Sequence, residues 1–160
     1  MGTLLRLAAT AVLFASIVGI TACEGISVTD RRPYEYDTPL TRRLDDFHRQ
    51  GPQGAERRID AFTDFAWDKV HLFGEGSRYR FIDETIGTPV FGRDGRYFDN
   101  SGVLLFFTDQ GRVVNAVAFA PGYITGKAHT YPRDTAMLRA HTKDPGPYRL
   151  KLIDAGKPTP

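Results

Sequence analysis

The chain has 160 residues, with 21 Lys and Arg against 19 Asp and Glu and a formal charge of +2. That length suits one domain with a real core. So even a balance argues against nucleic-acid binding, which needs a concentrated basic face; the pairs Arg31-Arg32, Arg42-Arg43 and Arg57-Arg58 are spread out among acids.

The N-terminus has the three parts of a secretory signal. Arg6 charges a short n-region, Leu7 to Ile20 form an apolar stretch, and Thr21 and Ala22 supply small residues before Cys23. The apolar stretch is shorter than the roughly 18 residues of a bilayer-spanning helix. Cys23 is the single cysteine, so no disulfide braces the chain. Stability must come from packing, for which the 11 Phe, 7 Tyr and one Trp are suited.

The run Ile20-Thr21-Ala22-Cys23 resembles the lipobox of bacterial lipoprotein precursors, over the first 23 residues only. The resemblance implies cleavage before Cys23, a thioether-linked lipid on its sulfur and residence in the cell envelope, held to a membrane. One acyl chain binds a membrane marginally, at about 0.8 kcal/mol per buried methylene, whereas two or three anchor it effectively permanently. An ordinary cleaved signal and an uncleaved anchor are the competing readings. In enteric lipoproteins an Asp directly after the cysteine often retains the protein in the inner membrane; here the residue is Glu24, which leaves the choice of membrane open.

Residues 23–37 read as a lipidated N-terminus and tether, polar and interrupted by Pro33, although Tyr34 and Tyr36 could begin the folded part. Thr38-Pro39 signals a helix start, followed by Leu40, Leu44 and Phe47 on one helical face and a stop at Gly51-Pro52. Residues 56–66 fit either helix or strand; Glu56, Arg57 and Arg58 have no β preference and tilt the expectation to helix. Alternation predicts a strand from Trp67 to Phe73, with Asp68, Val70 and Leu72 on one face and Trp67, Lys69, His71 and Phe73 on the other.

Ser77 is placed to cap a short helix ending at Ile86 before Gly87. Asp94-Gly95 is a hairpin turn signal. Val103 to Thr108 and Arg112 to Ala120 read as two apolar strands in the middle of a sheet, joined by Asp109-Gln110-Gly111. Two further strands are expected at about 135–141 and 148–153, joined by Asp144-Pro145-Gly146-Pro147, and a disordered tail at 155–160. Short turns between consecutive strands imply antiparallel pairing. The expected fold is α+β: one domain over residues 38–154, with an antiparallel sheet of about five strands, helices on one face and one short inserted helix.

The chemistry-bearing residues form no recognisable motif. Asp60, Asp64 and Asp68 are spaced by four and would share a face only on a continuous helix. Asp99-Asn100-Ser101-Gly102 lacks the spacing and closing glutamate of an EF-hand loop. His48, His71, His129 and His141 form no close pair of the zinc-binding kind, and Ser77 and Ser101 stand outside any nucleophile elbow. Gly74-Glu75-Gly76 and Gly92-Arg93-Asp94-Gly95 are turns, too short for a phosphate loop. No catalytic, cofactor or metal site is therefore expected.

Trp67-Asp68-Lys69-Val70, with the strand, helix and hairpin after it, resembles an arrangement in small uncharacterised bacterial lipoproteins over about residues 60–120; that resemblance implies no activity. Trp67, Asp68 and His71 remain the candidates for a surface or pocket. In physical terms Trp67 reads as a core anchor, Asp68 as a cap or turn acceptor and His71 as a packed core histidine. The expected function is a non-enzymatic envelope lipoprotein that binds an envelope protein or component. The alternative is a small periplasmic hydrolase using His and Asp residues assembled by the fold. A solute- or metal-binding protein, the third reading, normally has a larger cleft than a single domain of this size offers.

Overall fold

The computed structural model describes residues 33–36, 38–92, 96–98, 102–140 and 149–156. Cys23, most of the tether, the turns at Asp94-Gly95 and Asp144–Pro147, Ser101, His141 and the end of the tail lie outside the described residues. Within them the chain is α+β, in the order α1 (Pro39–Gln50), β1 (Glu56–Arg58), a 3₁₀ turn (Ile59–Phe62), β2 (Lys69–Gly74), α2 (Tyr79–Ile86), β3 (Val103–Asp109), β4 (Arg112–Phe119), β5 (Ile124–Gly126), β6 (Thr130–Pro132), β7 (Ala136–Ala140) and β8 (Leu150–Asp154).

The strands build two four-stranded sheets, ordered β4-β3-β2-β6 and β1-β7-β8-β5, rather than the one sheet of about five strands expected. All pairings are antiparallel except β5 with β8. The strands without a sequence signal are β1, β5 and β6, each three residues long. Three residues are too few to show a period of two.

β3 is the pivot of the fold. Its first six residues are buried, and successive side chains go to opposite faces of the sheet. Leu105 and Phe107 join a core with Val70, Leu72, Leu138, Leu150 and Leu152, between the two sheets. Leu104 and Phe106 join a second core with Phe73, Ile82, Ile86 and Phe98, under α2. The β4-β3-β2-β6 sheet is thus covered on both faces, which is why β3 reads as an unbroken apolar run. Leu40 and Leu44 of α1 belong to the first core, so the two helices serve opposite faces rather than one. β4 stands at the sheet's edge rather than in its middle. Tyr34 to Tyr36 cover part of that edge through a parallel bridge between Glu35 and Val117, and Tyr34 is buried. These tyrosines, read as the end of the tether, are therefore packed into the fold.

α1 starts as the sequence says. The Thr38 hydroxyl accepts from the Thr41 backbone N–H at 3.3 Å, the Thr41 side chain accepts from the Thr38 backbone at 3.0 Å, and Pro39 occupies the first turn. The Tyr123 hydroxyl donates to Asp45 at 2.7 Å and ties the helix to the strand connection opposite. α2 ends at Gly87 in the left-handed conformation. Its N-cap is Arg78, without a side-chain bond, so Ser77 does not cap it.

The segment expected to be helical from Glu56 to Ala66 is a short strand and then a 3₁₀ turn. Pairing with β7, in the register Arg57 opposite Leu138, overrides the local preference. Ala155 is tied back by donating to the Thr135 carbonyl at 2.9 Å, so the first part of the expected tail is ordered. No helix among the described residues is long and apolar enough to cross a membrane.

Candidate functional site

Two places bear on function: the surroundings of Trp67, Asp68 and His71, and an open cleft beside α1.

Trp67 precedes β2 rather than starting it, so the alternation expected from residue 67 does not reach it. Its ring is 2% exposed and packs edge-to-face on Phe107 at 5.3 Å, in the core that holds Val70 and Leu72. His71 and Phe73 share the opposite face and stack at 6.5 Å. The indole N–H donates to the Thr63 hydroxyl at 2.9 Å, and the Arg133 guanidinium lies 5.7 Å above the ring. Packing and hydrogen bonding thus occupy every part of Trp67.

Asp68 secures the β3–β4 hairpin. One carboxylate oxygen accepts from the Thr108 hydroxyl at 3.1 Å and the other from the Gln110 backbone N–H at 3.2 Å. Because Thr108 spends its proton on Asp68, its oxygen is left to accept from His71 Nε2–H at 3.3 Å. His71 Nδ1 then accepts from the Thr130 hydroxyl at 3.0 Å. The result is one polar chain, Thr130–His71–Thr108–Asp68, running across β6, β2 and β3. Burial is the main cause that pulls the His71 pKa down to about 4; the Lys69 charge acts in the same direction and Asp68 opposes it. The imidazole is neutral at physiological pH, with both ring nitrogens satisfied.

The three evenly spaced aspartates do not meet. Asp60 pairs with Arg58 at 2.8 Å and Asp64 with Arg43 at 2.8 Å, while Asp68 holds the hairpin. Among the described residues no group of three or more His, Cys, Asp or Glu could hold a metal ion.

The cleft has a volume of about 520 Å³, within the range of small-molecule sites. Its walls are the last turns of α1, the Gly51-Pro52 turn, the start of β1 and the 3₁₀ turn. Phe47 and Phe62, with ring centroids 5.2 Å apart, form an apolar floor with Ala55, Ala61 and Pro52. Four charged residues line it. Asp46 pairs with Arg49, Glu56 with Arg139, and Arg43 with Asp64. Arg43 also donates to the Phe62 carbonyl at 2.8 Å, which fixes the 3₁₀ turn against α1. Arg57 is different: among the described residues no carboxylate pairs with it, and its guanidinium lies 5.9 Å from both floor rings. Its place follows from the β1 register, which puts it on the same face as buried Leu138 at the rim of the core, with its stem over the rings and its charge in water.

Sequence reasoning missed this cleft. Phe47 was expected on α1's apolar face, but nothing local marks Arg57. Trp67, Asp68 and His71 do not line it. Fold and site together define an α+β domain with a filled polar network and an open apolar cleft in which Arg57 has no carboxylate partner among the described residues. Comparison with known proteins returns no matching family model, no matching curated protein and no matching solved structure.

Proposed function

We propose that this chain is a membrane-anchored bacterial envelope lipoprotein whose domain acts by binding rather than by catalysis. The lipobox Ile20–Cys23 supports the anchor. The binding half rests on one observation: the open cleft beside α1 presents an apolar floor and a guanidinium that has no carboxylate partner among the described residues. The anchor is tested with Cys23→Ser, followed by fractionation and precursor size. The expected variant is unprocessed and carries no lipid; one that is processed and membrane-bound like the parent sinks the lipoprotein reading. The binding half is tested by capture from membranes with the tagged full chain, wild type against Arg57→Gln. No reproducible envelope partner, protein or other component, counts against it.

The hydrolase alternative has one observation in its favour, the 3.0 Å approach of the Thr130 hydroxyl to His71 Nδ1, which is nucleophile–base geometry. Two facts weigh against it. The imidazole is 2% exposed, and a pKa of about 4 makes it a weak base near neutral pH. Thr130→Val separates the readings: loss of an esterase or amidase activity present in the wild type would favour the enzyme.

A further inference from the structure

We infer that the cleft beside α1 binds a monoanionic amphiphile, an aliphatic carboxylate, with its head on Arg57 and its chain across the Phe47–Phe62 floor. The inference rests on the reading of this domain as a binding module and names its ligand class.

The charge inventory carries the argument. Of the four charged residues that line the cleft, Asp46, Glu56 and Arg43 are each matched by an ion pair, and Arg57 alone has no carboxylate partner among the described residues. One free cation suits one negative charge. A phosphate ester, carrying nearly two charges at neutral pH, would find no second free cation in the lining. The planar guanidinium presents a fork of N–H donors that a carboxylate meets through two parallel hydrogen bonds. Its central carbon lies 5.9 Å from the centroids of both phenyl rings, so the donors sit beside the apolar floor that the ligand's chain would cover.

The rest of the lining selects the body of the ligand. Phe47, Phe62, Ala55, Ala61 and Pro52 offer carbon to the cleft. Ala61 is exposed although Phe62 beside it is buried, so the cleft lies open along the 3₁₀ turn. An alkyl chain gains from covering this floor in proportion to the apolar area it removes from water. A neutral alcohol of the same length would gain the burial and forgo the charge-assisted bonds.

The probe is octanoate, titrated into the full chain held in phospholipid nanodiscs, with empty nanodiscs as the partition baseline. Saturable one-to-one binding is expected for the wild type. Arg57→Gln should weaken it about tenfold or more, the scale of losing a charge-assisted pair. Ala61→Trp, which fills the open side of the cleft, should abolish it. Arg57 and Ala61 are both exposed, and an unchanged melting temperature in each variant establishes that the fold survives. Octanol should bind about tenfold more weakly than octanoate, and octyl phosphate no more tightly. Octanoate affinity unaltered by Arg57→Gln overturns the assignment, as does octanol binding equal to octanoate or octyl phosphate binding tenfold tighter. If octanoate does not bind while the tagged full chain still captures an envelope partner, the ligand class is wrong and the binding-module reading stands. If neither occurs, both fall.

Discussion

His71 Nε2 lies 3.3 Å from Thr108 Oγ1, and the two residues are 2% and 1% exposed. At that burial the imidazole N–H depends on the threonine oxygen, which in turn donates its own proton to Asp68 at 3.1 Å. Thr130, at the opposite end of the imidazole, is only half-buried, and a water can replace its hydroxyl. Thr108→Val keeps the shape and removes the oxygen, leaving the His71 N–H without an acceptor and Asp68 with one donor fewer. The expected cost is about 1–3 kcal/mol. Thr130→Val should cost less than about 1 kcal/mol. Urea unfolding of the two variants checks the order, and equal losses would contradict a directional polar chain.

Acid should find the same histidine. The unfolded chain takes up a proton on this residue near the ordinary histidine value of 6.5, and the folded chain only near 4. Unfolding therefore absorbs a proton between these values, and stability falls as the pH drops through that window. Above about pH 7 the residue contributes no pH dependence. With an allowance for solvent screening, the wild type should lose about 1–2 kcal/mol between pH 7.5 and pH 5 from this group. His71→Leu should lose that much less over the same interval, whatever its starting stability. Parallel pH profiles would show that another group is responsible.

Which parts were legible follows from how local their causes are. The apolar run of β3 announced coverage on both faces, and Thr38-Pro39 announced α1, because both signals sit in adjacent residues. His71 was legible as a packed histidine through its alternation with Phe73. Its partners Thr108 and Thr130 were not, being 37 and 59 positions away along the chain. Residues 56–66 fit helix or strand, and Glu-Arg-Arg, with no β preference, tilts the reading to helix; only the register on β7 makes β1 a strand. Arg57 inherits that illegibility. It becomes notable only when β1 lays it over Phe47 and Phe62 and every other charge around the cleft finds a partner.

The β3–β4 turn holds a correctable flaw. Asp109 pairs with Arg112, so the loop is the two residues Gln110 and Gly111, not the three expected. Their φ angles are 49° and 76°, both positive, as a type I′ hairpin turn requires. Glutamine is a poor occupant of the left-handed region and asparagine a good one. Gln110→Asn should stabilise the protein by about 0.5–1 kcal/mol, since the backbone N–H that bonds Asp68 is kept. Thermal unfolding reads it out; no gain would mean the turn conformation differs in solution.

Two glycines at strand ends should respond to the same substitution to very different extents. A Cβ on Gly126, the last residue of β5, would run into the hydroxyl of Tyr131 and come within 3.3 Å of the Leu152 carbonyl. Tyr131 cannot swing aside, because it is 1% exposed and its oxygen accepts the Ala128 N–H at 2.9 Å. Tyr131 sits on β6 of one sheet and Gly126 on β5 of the other, so the absent side chain lets the two sheets approach. Gly126→Ala should cost about 1–3 kcal/mol through overpacking at that contact. Gly74, the last residue of β2, has open space where a Cβ would stand. Gly74→Ala should change stability by less than about 0.5 kcal/mol. Urea unfolding of the pair gives the difference, and a Gly126→Ala variant as stable as Gly74→Ala would show that the two sheets do not meet closely at this glycine.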